Sequence, residues 1–148
     1  MSIAIESPRE PGIAELLRAG EQFAEALYPA EENFILPLEA LEKPGVTVFV
    51  ARADGRALGM AALVEHDGYA ELKRMFVSED ARGRGLAGAL LDALHAHARS
   101  AGVRIIRLET GDRSDAALAL YERRGYRRIP AFGEYVGSAS SVCMEIAL

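Results

Sequence analysis

Arg82-Gly83-Arg84-Gly85-Leu86-Ala87-Gly88 follows a run that reads as a β-strand and opens one with helical spacing. Closely spaced glycines let a backbone pass near a ligand, and a helix N-terminus adds outward-pointing amides with positive partial charge. The stretch therefore reads as a cradle for a pyrophosphate, with Arg82 and Arg84 adding charge to it. The same residues spell Gly-x-Gly-x-x-Gly, and Glu109 follows at about the interval that a dinucleotide-binding unit uses. Three features weigh against that rival. Residues Ser78 to Arg82 separate Val77 from Gly83, whereas the dinucleotide motif follows its strand directly. The preceding strand carries Glu71, Lys73 and Arg74, which a parallel strand buried on both faces hardly tolerates. Too little chain follows Glu109 for a second nucleotide-binding half. The phosphate loop of nucleotide hydrolases fails outright, since no Gly-Lys-Ser/Thr follows.

Upstream of the cradle, apolar residues alternate at Val46, Val48 and Val50, and two further runs cover Ala57 to Val64 and Tyr69 to Val77. Asp54-Gly55 and Asp67-Gly68 separate the runs, and such pairs predict hairpins, so the three strands form an antiparallel meander. Before them, Ser2 to Glu6 alternates as a short strand. Ile13, Leu16, Leu17, Phe23 and Leu27 then mark a helix that ends at Tyr28-Pro29. Ala30 to Gly45 reads as a loop with one short helix, a candidate lid on the substrate side. Downstream, Leu86 to Ala98 is a helix closed by Gly102, and Arg104 to Thr110 is a strand. A helix from Ala116 to Arg124, a short strand near Tyr126 and a last strand from Val142 to Ala147 complete the chain.

The 148 residues suit a single domain over 1–148, and 50% hydrophobic with 26% charged residues is ordinary globular composition. A net charge of -5 argues against a nucleic-acid partner. No signal-like start and no apolar run of bilayer length is present, so the expectation is a cytoplasmic protein with no membrane partner. Cys143 stands alone within a strand pattern and reads as a small buried hydrophobe rather than a nucleophile. His95 and His97, two apart on a helix, point to different faces, His66 beside a turn reads as solvated, and no metal site is expected.

Arg82-x-x-Gly85-x-Ala87 resembles the acetyl-CoA signature of the GNAT N-acetyltransferase superfamily, and Leu120-Tyr121-Glu122-Arg123-Arg124-Gly125-Tyr126 is similar to a second family segment. The element order is also that of the family. The resemblance implies an α/β fold with a mixed, mostly antiparallel central sheet flanked by helices. Two neighbouring strands, Glu71–Val77 and Arg104–Thr110, would run parallel and splay to admit the pantetheine. It implies acetyl-CoA as co-substrate, with Met75, Phe76 and Val77 lending backbone groups to the pantetheine arm and Gly83, Arg84, Gly85, Leu86, Ala87 and Gly88 holding the pyrophosphate beside Arg82. Family members often have asparagine where Ser114 stands here. The acceptor implied is a primary amine on a small molecule, a protein or a peptide. Oligomeric state stays open, a homodimer included.

On the order of one lysine-type amine in a thousand is unprotonated at neutral pH, so the reaction needs a proton acceptor. Glu71 has the position of the glutamate base in the histone-acetyltransferase branch and ranks first; Glu109, where some N-terminal acetyltransferases keep a glutamate, ranks second. Each has a structural alternative, Glu71 as a solvent-facing partner of a basic neighbour and Glu109 as a cap for backbone amides. Tyr121 stands where the family often keeps the general acid, though packing against Leu118 and Ala117 is the plainer role. The loop Pro130 to Tyr135 either lines an amine pocket or packs as a turn. With no activated nucleophile in view, transfer is expected to be direct, within a ternary complex. The rival from another class is a non-catalytic domain that binds an acyl-CoA as a regulatory ligand.

Overall fold

The computed structural model describes residues 1–148. Seven strands form one sheet: β1 (Ser2–Ile5), β2 (Val46–Ala53), β3 (Arg56–Glu65), β4 (Ala70–Val77), β5 (Ile105–Gly111), β6 (Arg127–Ile129) and β7 (Ser141–Ala147). Their spatial order is β1-β2-β3-β4-β5-β7-β6. Every pairing is antiparallel except β4 with β5. The fold class and the predicted meander are both present. Asp54 and Gly55 have φ of 51° and 78°, the double left-handed geometry of a tight hairpin turn.

Helices cover the sheet on both faces. Leu86, Leu90, Leu91, Leu94 and Ala98 recur at three-to-four-residue spacing along α3 (Leu86–Ser100) and pack with Leu118 of α4 (Asp115–Arg123) onto Leu72, Ile106 and Leu108. On the opposite face, Ile13, Leu16 and Leu17 of α1 (Ile13–Leu27) and Leu41 of the short α2 (Leu38–Leu41) meet Val48, Val50, Met60 and Ala62. The segment expected as a loop with one short helix holds a single 3-10 turn, Ala30–Glu32, and α2. No helix is long and apolar enough to cross a membrane.

The sequence did not reveal that β7 lies between β5 and β6. Two other features position the site. Opposite Met60 and Ala62 of β3 stand Phe76 and Lys73, so one residue of β3 faces both Arg74 and Met75, a bulge in β4. At the far end of β5, a Cβ on Gly111 would lie 2.0 Å from the Tyr28 hydroxyl oxygen, so the tyrosine ring is seated where any side chain would be.

Gly111→Ala should therefore lower unfolding free energy by about 1–3 kcal/mol through overpacking. In a Tyr28→Ala background most of that penalty should vanish. A double-mutant cycle by urea denaturation measures the coupling, and additive effects would show that the two residues do not compete for space.

Candidate active site

Pairing between β4 and β5 covers only Ala70 with Ile106, Glu71 with Arg107 and Leu72 with Leu108. The bulge at Arg74 follows at once, bends β4 away, and leaves the two strands unpaired toward their C-terminal ends. A cavity of about 710 Å³ opens there, bounded by β4, β5, α1, α4 and the 28–35 segment. The expected splay of two parallel strands is the origin of the site.

Of the residues expected to hold coenzyme, Met75, Phe76, Val77, Arg82 and Ala87 line this cavity. Gly83, Arg84, Gly85, Leu86 and Gly88 lie outside its lining. Gly83 and Gly85 have φ of 79° and 76°, and a Cβ at either would point into open space, so conformation rather than crowding selects glycine. No amide from Gly83 to Gly88 donates to a backbone carbonyl, and the start of α3 has no side-chain cap. Those amides are available to an anion, which fits the pyrophosphate of an acyl-CoA. Arg82 is held beside them, its Nε donating to the Val77 carbonyl at 3.2 Å and its guanidinium over the rings of Phe23 and Phe76. Arg84 turns back to the Asp80 carbonyl. Leu86 belongs to the core, and a Cβ on Gly88 would meet Arg124 Nη2 at 2.2 Å, so that glycine makes room for an arginine.

Glu109 and Tyr121 both stand on the cavity wall. Burial raises the Glu109 pKa above the ordinary carboxylate value, offset in part by Ser141, whose hydroxyl donates to it at 2.5 Å, and by the nearby Lys73 charge. Tyr121 is buried against Tyr126, and burial pushes its phenol well above the usual range, so it holds its proton at neutral pH. Ser114 lines the cavity too, at the N-cap of α4 with no side-chain cap bond.

Glu71 is not on the wall. It is 6% exposed, accepts a very short hydrogen bond from the Tyr135 hydroxyl, and lies 3.7 Å from Lys73 Nζ. His66, expected to be solvated, is 39% exposed at its side chain, yet its Nε2 lies 3.1 Å from Glu71 and its ring stacks on Tyr69. Glu71 is thus an enclosed, paired carboxylate rather than a solvent-facing one. Lys73 ties this cluster to the candidate lid, donating to the Phe34 carbonyl at 3.2 Å and the Tyr135 hydroxyl at 2.7 Å. The Pro130 to Tyr135 loop packs as a turn, with Tyr135 buried and Phe132 edge-on to Tyr69. Cys143 is buried with its thiol pKa raised, the state of an inert core residue. His95 is paired with the Tyr126 hydroxyl and His97 lies against Phe49, on different faces as spacing requires.

Sequence reasoning missed Tyr28 and Arg113 on the wall, where the Arg113 amide donates to the Tyr28 hydroxyl at 2.7 Å. It also missed Arg74, whose long-range partners leave no local signal.

The model of the acetyltransferase (GNAT) family matches residues 11–126. The chain belongs to that family. It is 37% identical over 147 residues to the IAA acetyltransferase of Azospirillum brasilense, a match covering 98% of this GNAT chain and 96% of the relative. A Klebsiella pneumoniae protein assigned as an acyl-CoA N-acyltransferase superposes with a TM-score of 0.83 at 34% identity, over 99% of this chain and 97% of its own. A GNAT acetyltransferase of Elizabethkingia anophelis with acetyl-CoA bound shares the fold, with a TM-score of 0.71 at 18% identity over 99% and 97% of the two chains. This GNAT protein is an acyltransferase.

Because Glu109 binds its proton more tightly when folded, its stabilising contribution is complete below the unfolded carboxylate pKa and is lost as pH rises through the raised value. Glu109→Gln should therefore gain stability relative to wild type as pH climbs from about 4 toward neutrality. Urea unfolding across that range tests this, and parallel profiles would remove the desolvation argument.

Proposed function

We propose that this protein is a cytoplasmic N-acetyltransferase that moves the acetyl group of acetyl-CoA to a primary amine by direct transfer. One observation carries the reading. A carboxylate with raised pKa and a protonated phenol face a single cavity, at whose edge a set of uncommitted amides begins a helix. The A. brasilense relative's name and the acetyl-CoA held by the E. anophelis protein support the same donor.

Glu109 receives the proton that the amine sheds on becoming nucleophilic, directly or through water. Its raised pKa narrows the gap to the amine, and Ser141 fixes the carboxylate in place. Tyr121 donates its hydroxyl proton toward the departing thiolate and, by remaining protonated near neutrality, is ready to do so. Met75, in the bulge, and Phe76, just past it, line the cavity, and their amides are our candidates for the backbone donors that an oxyanion needs. The lone cysteine is buried with a raised pKa, which favours a ternary complex over a covalent relay. Glu71 supports the site by holding Lys73 and Tyr135.

Acetyl-CoA should raise the melting temperature of wild type and not of Gly85→Val. Glu109→Gln should lower turnover by about a hundredfold or more with coenzyme affinity nearly constant, and Tyr121→Phe by ~10–100-fold. Release of free coenzyme A across an amine panel is the measurement. A protein that binds acetyl-CoA but releases none with any amine would be a regulatory binder instead. A larger loss in Glu71→Gln than in Glu109→Gln would return the base to Glu71.

A further inference from the structure

Several cations touch the cavity, and one of them is different in kind. Arg82 and Arg113 are exposed, and Lys73 is bonded to Phe34, Tyr135 and Glu71. Arg74 has a side chain only 8% exposed, and its sole bonds run from Nη2, to the Leu17 carbonyl at 3.0 Å and to Glu21 at 3.4 Å. A guanidinium has five N–H donors, so Nε and Nη1 have nothing in the protein to bond. No side-chain nitrogen is both fully enclosed and unpaired, so these donors keep contact with solvent, and Arg74 is one of the residues lining the cavity.

The backbone adds a second observation. Arg74 has φ of 56°, the left-handed region that a bulky residue enters only at a cost. The bulge aims its side chain toward α1 instead of along the ladder. Glu21, the one nearby counter-charge, is 41% exposed and reaches a single nitrogen. Burial holds the guanidinium pKa below its ordinary value, as expected of a cation whose charge is incompletely answered.

We propose that Arg74 binds a carboxylate of the acceptor, so that the substrate is an apolar amino acid or a close analogue. This deepens the reading of the chain as an amine acetyltransferase and rests on it. The cavity presents opposite charges to the two ends of such a molecule, Glu109 to the amine and Arg74 to the carboxylate. Leu16, Leu17, Phe23 and Phe34 supply an apolar chamber for the body. A phosphate dianion suits it less, because Glu32 and Glu109 share the same walls.

The test compares matched amines, phenylalanine with 2-phenylethylamine and leucine with 3-methylbutylamine. Wild type should favour the carboxylate-bearing member by about tenfold or more in kcat/KM, the scale of a charge-assisted bond. Arg74→Gln should abolish the preference through KM and leave acetyl-CoA affinity unchanged. Arg74→Lys, which keeps the charge, should retain part of it if the glutamine variant folds poorly. Glu21→Gln removes the competing carboxylate and should lower KM for the amino acids alone, which a purely structural clamp between α1 and β4 does not predict. Titration of N-acetylphenylalanine into coenzyme A-saturated protein gives a readout without turnover, and its binding should require Arg74. Equal turnover of the paired amines, or lost coenzyme affinity in Arg74→Gln, would overturn the inference while leaving the acetyltransferase reading intact. Arg74-dependent binding of the acetylated amino acid with no turnover of any amine would sink the reading and spare the carboxylate site.

Discussion

Beyond Leu72, β4 has no partner in β5, and the missing hydrogen bonds of that short stretch govern the rest of the molecule. A parallel pair normally continues for the length of both strands, and backbone polar groups taken from water must find partners. Here the bulge at Arg74 ends the ladder within two residues of the last pairing. A ligand that carries amides of its own, such as a pantetheine arm, is suited to restore what the strands give up. The hydrophobic faces on either side hold the gap open, since α3 and α4 pack on one and α1 on the other.

The two glutamates show how neighbouring carboxylates acquire different work from their surroundings. Glu71 is surrounded by donors, the Tyr135 hydroxyl, His66 and the Lys73 ammonium. A carboxylate so fully engaged fixes its neighbours in place, and through Lys73 it reaches the Phe34 carbonyl of the 30–45 segment. Glu109 has one hydroxyl donor, Ser141, and burial raises its pKa above the ordinary carboxylate value.

Much of this was legible in the sequence because the signals were local. Asp54-Gly55, the stripe of α3 and the glycines before it each act within a few residues, and the strands, the helices and the glycine-rich loop before α3 followed from them. The placement of β7 between β5 and β6 was not legible, since strand order depends on packing between distant segments. The site divided along the same line. Glu109 and Tyr121, named from the sequence, line the cavity, whereas spacing alone cannot show that Tyr135, 64 residues away, encloses Glu71. Arg74 gave no sign because its φ and its bond to Leu17 exist only once the bulge and α1 are in place.

The interior position of β7 also orders the chain's assembly in time. During synthesis, β1 through β4 can pair as they emerge, whereas β5 waits for Ser141–Ala147 to cover its free edge and β6 has no partner until the same residues arrive. The nascent domain therefore keeps an unpaired edge beside its cleft until Ser141–Ala147 have emerged, a state open to intermolecular strand pairing. The residues of β7 are consequently sheet interior, and removing them strips β5 of its antiparallel neighbour.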